Sequence, residues 1–219
     1  MKYILIALLA VSCQLAHKKK ERKPNKQHQA LKREGELGKR ISVRILSQYP
    51  RLEQAQVQNY ISSLGRSIVV RMGRQELYYY FAVLESEEKR SFSAPGGFIF
   101  VTTGLIKSLT QEAQLAGILA REIAIVNNRY VYKASLKEKS LSKASELGFK
   151  KILANEFSRK ELRVADYEAM MGLLSMRYNT NAYVSVAADK EFSKKIAGQV
   201  LINKPVNYTD RFIQLKNRI

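Results

Sequence analysis

Histidine and cysteine are nearly missing. Two histidines, His17 and His28, and one cysteine, Cys13, occur in 219 residues, all near the N-terminus. Zinc sites draw on imidazole, thiolate and carboxylate ligands, so a compact nitrogen or sulfur cluster cannot be assembled in the body of this chain. A serine mechanism lacks its imidazole base for the same reason. The lone cysteine excludes an internal disulfide. Acids are scarce as well: 19 Asp and Glu stand against 38 Lys and Arg, a net charge of +19. With 46% apolar residues the chain can still bury a core, and one domain is the default count.

Met1 to Ser12, MKYILIALLAVS, sets Lys2 before an apolar run from Tyr3 to Val11 and a small Ser12. This is the layout of a secretory signal, too short to cross a hydrocarbon core of about 30 Å as a mature helix. Leu9-Ala10-Val11-Ser12-Cys13 resembles the lipobox of bacterial lipoproteins. That resemblance implies cleavage before Cys13 and acylation of its thiol; a plain signal peptide followed by a chance cysteine is the blander reading. Gln14 stands where an Asp would retain a lipoprotein at the inner membrane, which favours the outer membrane. From His17 to Arg33 eight bases face one acid, Glu21. Residues 13–33 are therefore expected as a disordered basic tether able to lie on anionic headgroups, each basic residue adding about 1 kcal/mol. Nucleic acid matches the charge sign. Aromatics do not interleave with the bases, however, and export removes the usual target, so it is not an expected partner.

Residues 34–219 form the expected domain. Glu34 to Gln48 and Leu52 to Met72 carry apolar residues at helical spacing, with Pro50 between them. Leu77 to Leu84, LYYYFAVL, is rich in strand formers, and Pro95-Gly96-Gly97 marks a sharp turn between two strands. The strands are expected to include Tyr78 to Val83 and Phe98 to Val101. Lys133 to Ser145 is polar and is expected as an exposed helix end or a mobile segment. Ser158 to Arg177, Ala182 to Ile196 and Tyr208 to Ile219 read as further helices.

The most informative stretch is Gln111 to Tyr130, QEAQLAGILAREIAIVNNRY. It reads as one helix with Thr110 as N-cap. Ala113, Ala116, Ala120 and Ala124 give it a smooth side for close packing, and Leu115, Ile118, Leu119, Ile123 and Val126 supply apolar bulk. A helix buried on most sides has one polar pair inside it, Arg121-Glu122.

The stretch LAGILAREIAIVNNRY resembles the active-site helix of HExxH zinc metalloendopeptidases. The family is peptidase family M48, which includes the CAAX prenyl endopeptidase, the heat-shock membrane protease and the periplasmic β-barrel-assembly-enhancing protease. In that motif two His four residues apart bind zinc and the Glu is the general base. The resemblance places Arg121 and Ile125 at the His positions and keeps Glu122. Ser158 to Arg177 resembles the family's second ligand helix. Aligned on Ser158-Arg159 and Ala165-Asp166, it puts Leu162 at the Glu ligand and retains Asp166, which in the family orients a His ligand. Glu161 lies one residue off and about 100° round the helix. The stretch SFSAPGGFIFVTTGL resembles the family's edge strand, PGG turn and following helix start. The former substrate strand and turn are then Phe92, Ser93, Ala94, Pro95, Gly96 and Gly97, although Arg90-Ser91 replaces the usual Asn-Ala. Arg211 falls near, not at, the family's basic position in the closing helix.

The resemblance implies an α+β fold: a mostly helical, zincin-like metallopeptidase domain with a small, mainly antiparallel sheet and a PGG hairpin. It implies no zinc, because a guanidinium has no lone pair to give and the two aliphatic chains carry no donor. The expected function is a catalytically inactive, pseudopeptidase lipoprotein that binds or scaffolds envelope polypeptides through the former cleft. It would sit in the bacterial cell envelope, lipid-anchored at the outer membrane and facing the periplasm. The alternative is an active zinc metalloendopeptidase of the same family acting in periplasmic protein quality control. Arg121 is expected either to pair with Asp166 or to turn along the cleft into water.

Overall fold

The computed structural model describes residues 25–188, 190–199 and 209–219. The chain divides into Met1–Leu31 and Lys32–Ile219. Of the first unit only 25–31 are described, the opening turns of helix α1, Lys26–Gln48. The signal, Cys13 and the start of the basic tether lie outside the described residues. The tether does not run unstructured to Arg33 as expected, because helix begins at Lys26. The residues there, KQHQALKR, are mostly good helix formers. The Asn25 carboxamide oxygen accepts the Gln27 N–H at 3.1 Å, as an N-terminal cap does. Among the described residues no helix is long and apolar enough to cross a membrane.

Leu37, Ile41 and Ile45 recur four apart on α1 and are buried, sharing a core with Leu84, Phe92 and Phe100 of the sheet. Helix α2, Ala55–Met72, buries Val57, Ile61, Leu64 and Ile68 in a second core. It starts at Ala55 rather than Leu52 because Leu52 is taken by the sheet: its N–H donates to the Val83 carbonyl at 2.9 Å.

Three strands follow: β1 Tyr80–Leu84, β2 Ser91–Ala94 and β3 Phe98–Thr102, in the order β1-β3-β2. β2 and β3 are antiparallel across the Pro95-Gly96-Gly97 turn, with Ala94 opposite Phe98. β1 runs parallel to β3, Tyr80 opposite Phe98 and Leu84 opposite Thr102. The sheet is thus mixed rather than mainly antiparallel. The reason lies in the link from β1 to β2, which crosses the end of β3 instead of folding back beside β1. Thr102 and Thr103 hold it there: the Thr103 hydroxyl donates to the Ser86 carbonyl at 2.8 Å and accepts the Ser86 N–H at 3.1 Å. The Thr102 hydroxyl oxygen accepts the Arg90 N–H at 3.0 Å. Gly96 and Gly97 have φ of 80° and 95°, a left-handed backbone that favours glycine. A Cβ on Gly38 of α1 would lie 1.7 Å from the Pro95 carbonyl oxygen, so this glycine lets the helix touch the turn.

Helix α3, Thr103–Ser108, is capped by Thr102, whose hydroxyl oxygen accepts the Leu105 N–H at 3.2 Å. The central helix is α4, Glu112–Asn127, with Gln111 rather than Thr110 at its N-cap. The Gln114 side chain explains the shift, accepting both the Thr110 and Gln111 N–H groups. The helix stops short of Tyr130 because Arg129 turns left-handed, with φ 59°. Helix α5, Tyr130–Ser135, and α6, Leu141–Leu153, come next. The polar Lys133 to Ser145 stretch is therefore not a mobile segment throughout, since α6 begins within it and buries Ala144 and Ser145. Helix α7, Arg159–Ser175, packs on the alanine side of α4, where Ala124, Ile125 and Ala165 cluster. α8 Thr180–Val184, α9 Lys190–Gln199 and α10 Thr209–Lys216 complete the described elements. The single helix expected from Ala182 to Ile196 is broken at residues 185–188.

Candidate functional site

A cleft of about 520 Å³ opens between α4, α7, the β2 edge and the break after α8. Arg121, Glu122 and Ile125 line it from α4, Leu162 from α7, and Ser91, Phe92 and Ser93 from β2. The sequence-predicted positions 121, 125 and 162 thus converge on one cavity. A guanidinium and two aliphatic side chains meet there, and none can donate a lone pair to a metal. Ala94, Pro95, Gly96 and Gly97 continue from β2 into the turn rather than lining the cleft, where Gly96 and Gly97 supply the chain reversal.

Glu122 is 5% exposed, and its carboxylate accepts the Ser91 hydroxyl at 2.6 Å. Arg121 lies 3.8 Å from the same carboxylate, donates to the Val186 carbonyl at 3.3 Å and reaches Ser91 Oγ at 3.4 Å. Burial opposes the Arg121 charge, yet Tyr183, Glu122 and Asp166 outweigh it and raise its pKa above the ordinary value. Asp166 is fully buried and accepts the Tyr183 hydroxyl at 2.5 Å and the Ala188 N–H at 3.3 Å. Burial pushes the Tyr183 phenol well above its usual range, so it stays a neutral donor. Arg121 forms no direct ion pair with Asp166 among the described residues; Tyr183 bears on both. Nor does Arg121 turn out into water. The break at residues 185–188 now has its cause, because its Val186 carbonyl serves Arg121 and its Ala188 N–H serves Asp166. Glu161 is no substitute ligand: it closes a capping box with Ser158.

The outer edge of β2 lies beside this cleft, and its outward backbone groups have no hydrogen-bond partner among the described residues. The Arg90 carbonyl accepts the Thr102 N–H at 3.0 Å. Antiparallel alternation then turns Phe92 and Ala94 toward β3 and aims the backbone groups of Ser91 and Ser93 outward. Ser93 is 3% exposed, and its hydroxyl has no partner among the described residues. The opposite edge of the sheet is closed at Val83. On β1 the Val83 N–H donates to Gln58 Oε1 at 3.1 Å, and the Val83 carbonyl accepts from Gln58 Nε2 at 3.0 Å.

Two acid clusters escaped sequence reasoning. Glu112, 2% exposed in the first turn of α4, is clasped by Arg211 of α10 and by the hydroxyls of Tyr60 and Tyr178. Arg211, which falls near but not at the family's basic position in the closing helix, lines a separate cavity of about 600 Å³ with Tyr60 and Tyr178. Glu34, fully buried on α1, pairs with Arg74 at 2.7 Å and Arg129 at 3.1 Å. The available signal for both was an acid placed in an apolar helical pattern.

A sequence profile of peptidase family M48 matches residues 51–212, from the bridge beside β1 to a point within α10. The chain is 27% identical over 85 residues to the "Beta-barrel assembly-enhancing protease" of Escherichia coli strain K12. That stretch is 39% of this chain and 18% of the relative. The protein of the same name from Yersinia pestis is 25% identical over 89 residues, 41% of this chain and 18% of the relative. The match therefore spans less than a fifth of these relatives' own length.

Proposed function

This chain belongs to peptidase family M48, and from that premise we propose that it is a catalytically silent member that holds extended polypeptide on the β2 edge of its cleft. The supporting observation is one of donors. The positions at which the family motif carries its ligands are Arg121, Ile125 and Leu162, and they share one cavity with an unpaired strand edge. Zinc hydrolysis needs three protein ligands, an open fourth position and a carboxylate to take the proton. Only the carboxylate is supplied, as Glu122, and it is engaged by Ser91. The guanidinium beside it also repels a divalent ion by on the order of several kcal/mol at a few Å in a partly screened site. The residues do not fit a catalytic zinc. Strand addition needs no metal: backbone groups give affinity and side-chain pockets give selectivity. The relatives' name supplies the partner class, polypeptides of the bacterial envelope that include those of β-barrel assembly.

The reading extends to the N-terminus, where acylation of Cys13 would anchor the protein at the outer membrane facing the periplasm. Fractionation of wild type against Cys13→Ala checks the anchor: the wild type sediments with membrane and the variant becomes soluble. Equal behaviour of the two refutes it.

The competing reading, an active zinc endopeptidase, has one observation in its favour, the position of Glu122 in the cleft. Metal analysis and casein hydrolysis decide between them. The silent reading expects sub-stoichiometric zinc and no cleavage in the unmodified protein. It also expects zinc to be gained by the triple variant Arg121→His, Ile125→His, Leu162→Glu. Stoichiometric zinc in the parent, with cleavage abolished by chelation and by Glu122→Gln, would establish the enzyme instead.

A further inference from the structure

Among the described lining residues of the cleft, four cations, Lys89, Arg90, Arg121 and Lys190, stand against one carboxylate, Glu122. They are not equivalent. Arg121 is balanced internally by Glu122, with Asp166 beside Tyr183 below it. Arg90 lies 3.6 Å from Glu88, stacks its guanidinium 4.9 Å from the Phe92 ring and also donates to the Leu153 carbonyl. Lys89 and Lys190 are both exposed, and neither has an ion-pair partner among the described residues. One precedes β2 and the other opens α9, so both reach the cavity from its rim.

The inner wall is different in kind. Ile118, Ile125, Ile152, Phe157 and Leu162 make it apolar. A strand laid along the outward groups of Ser91 and Ser93 would point successive side chains to opposite faces. One set would meet the apolar wall, while the other would look toward solvent and the rim lysines.

We propose that the guest of this cleft is an extended polypeptide segment in which apolar residues alternate with acidic ones. The proposal rests on the polypeptide-binding reading above and adds the guest's chemistry. Charge complementarity selects it: the rim offers two unpaired ammonium groups, and the whole chain carries +19.

The test is fluorescence polarisation with three labelled peptides sharing one apolar alternation, interleaved with Glu, Ser or Lys. The Glu peptide is expected to bind about three- to tenfold tighter than the Ser peptide, as two rim ion pairs of modest strength allow, and the Lys peptide weakest. The advantage should shrink as salt rises, and Lys89→Glu with Lys190→Glu should reverse the order of the Glu and Lys peptides. Equal binding of the three peptides, abolished by N-methylation of alternate peptide amides, would overturn the acidic guest and leave strand addition standing. No binding by any peptide would remove strand addition and the acidic guest together.

Discussion

Glu112 and Glu122 lie on the same helix, are buried to a similar degree and are used in opposite ways. Glu112 is gripped by an arginine and two tyrosines from α2, α10 and the segment after α7, joining elements far apart in sequence. Glu122 has one hydroxyl and its own neighbour Arg121, and it looks into a cavity. The sheet repeats the contrast. Its β1 edge is sealed at Val83 by Gln58, while its β2 edge beside the cavity has outward backbone groups without a partner among the described residues. Among the described residues the carboxylates and edge groups named here are satisfied by side chains from other elements, and the β2 edge beside the cavity is not. That makes the opening a property of the site rather than slack in the fold.

The strongest way to break the contrast is at the clasp. Glu112→Ala would strand the Arg211 guanidinium and two phenols that now converge on one carboxylate. The expected loss is about 2 to 4 kcal/mol of stability: two phenols lose their charged acceptor, while Arg211, half exposed, can turn to water. Urea denaturation measures it, and a loss under about 1 kcal/mol would show that the clasp is incidental. Next comes the sealed edge. Gln58→Ala removes hydrogen bonds to Val83 and Leu52 in a buried setting and should cost about 1 to 3 kcal/mol. Faster amide exchange at Val83 would locate the damage in β1.

Ser93→Pro works on the open edge, and there the expected signs separate. A proline on an edge strand removes only an outward N–H. Packing the ring at a buried residue should cost about 1 to 2 kcal/mol of stability, whereas affinity for an extended peptide should fall about tenfold, roughly the net worth of one hydrogen bond. If the side chain proves too large for the site, N-methylated peptides probe the same N–H from the guest. Undiminished affinity in both experiments would place the guest elsewhere.

What was legible in the sequence follows from range. The PGG turn and the helices Ala55–Met72, Glu112–Asn127 and Arg159–Ser175 are written in local periodicity and in the need for positive φ, and they lie within a few residues of where those rules put them. The convergence of residues 121, 125 and 162 was legible through family spacing, because two helices with fixed motifs carry them. The parallel β1–β3 pairing was not, since it depends on Thr102 and Thr103 pinning a crossing loop by hydrogen bonds that any Thr pair could make elsewhere. The break at residues 185–188 was hidden for a related reason. Its backbone is drawn out of helix by Arg121 and Asp166, each far away in sequence. Glu112 and Glu34 were visible as acids in apolar patterns, but their arginine partners come from other elements and no spacing announces them.

The smallest expected effect is also the one that separates the two acids most cleanly. Glu122→Gln keeps the size of the side chain and still offers an acceptor to the Ser91 hydroxyl. It removes the charge that faces Arg121 at 3.8 Å, a separation too long for a direct hydrogen bond. Arg121 retains the Val186 carbonyl, with the field of Asp166 beneath it. Stability should therefore fall by about 1 kcal/mol, because buried Arg121 loses one carboxylate and keeps the other, against about 2 to 4 at Glu112. For a general base the same change would abolish turnover; for a residue with no metal-bound water to activate it has nothing to abolish. Denaturation and casein hydrolysis on one preparation read both quantities. A stable variant whose hydrolysis equals the parent's background is the expected outcome. A parent that cleaves casein and a variant that does not would restore Glu122 to catalysis and overturn the silent reading.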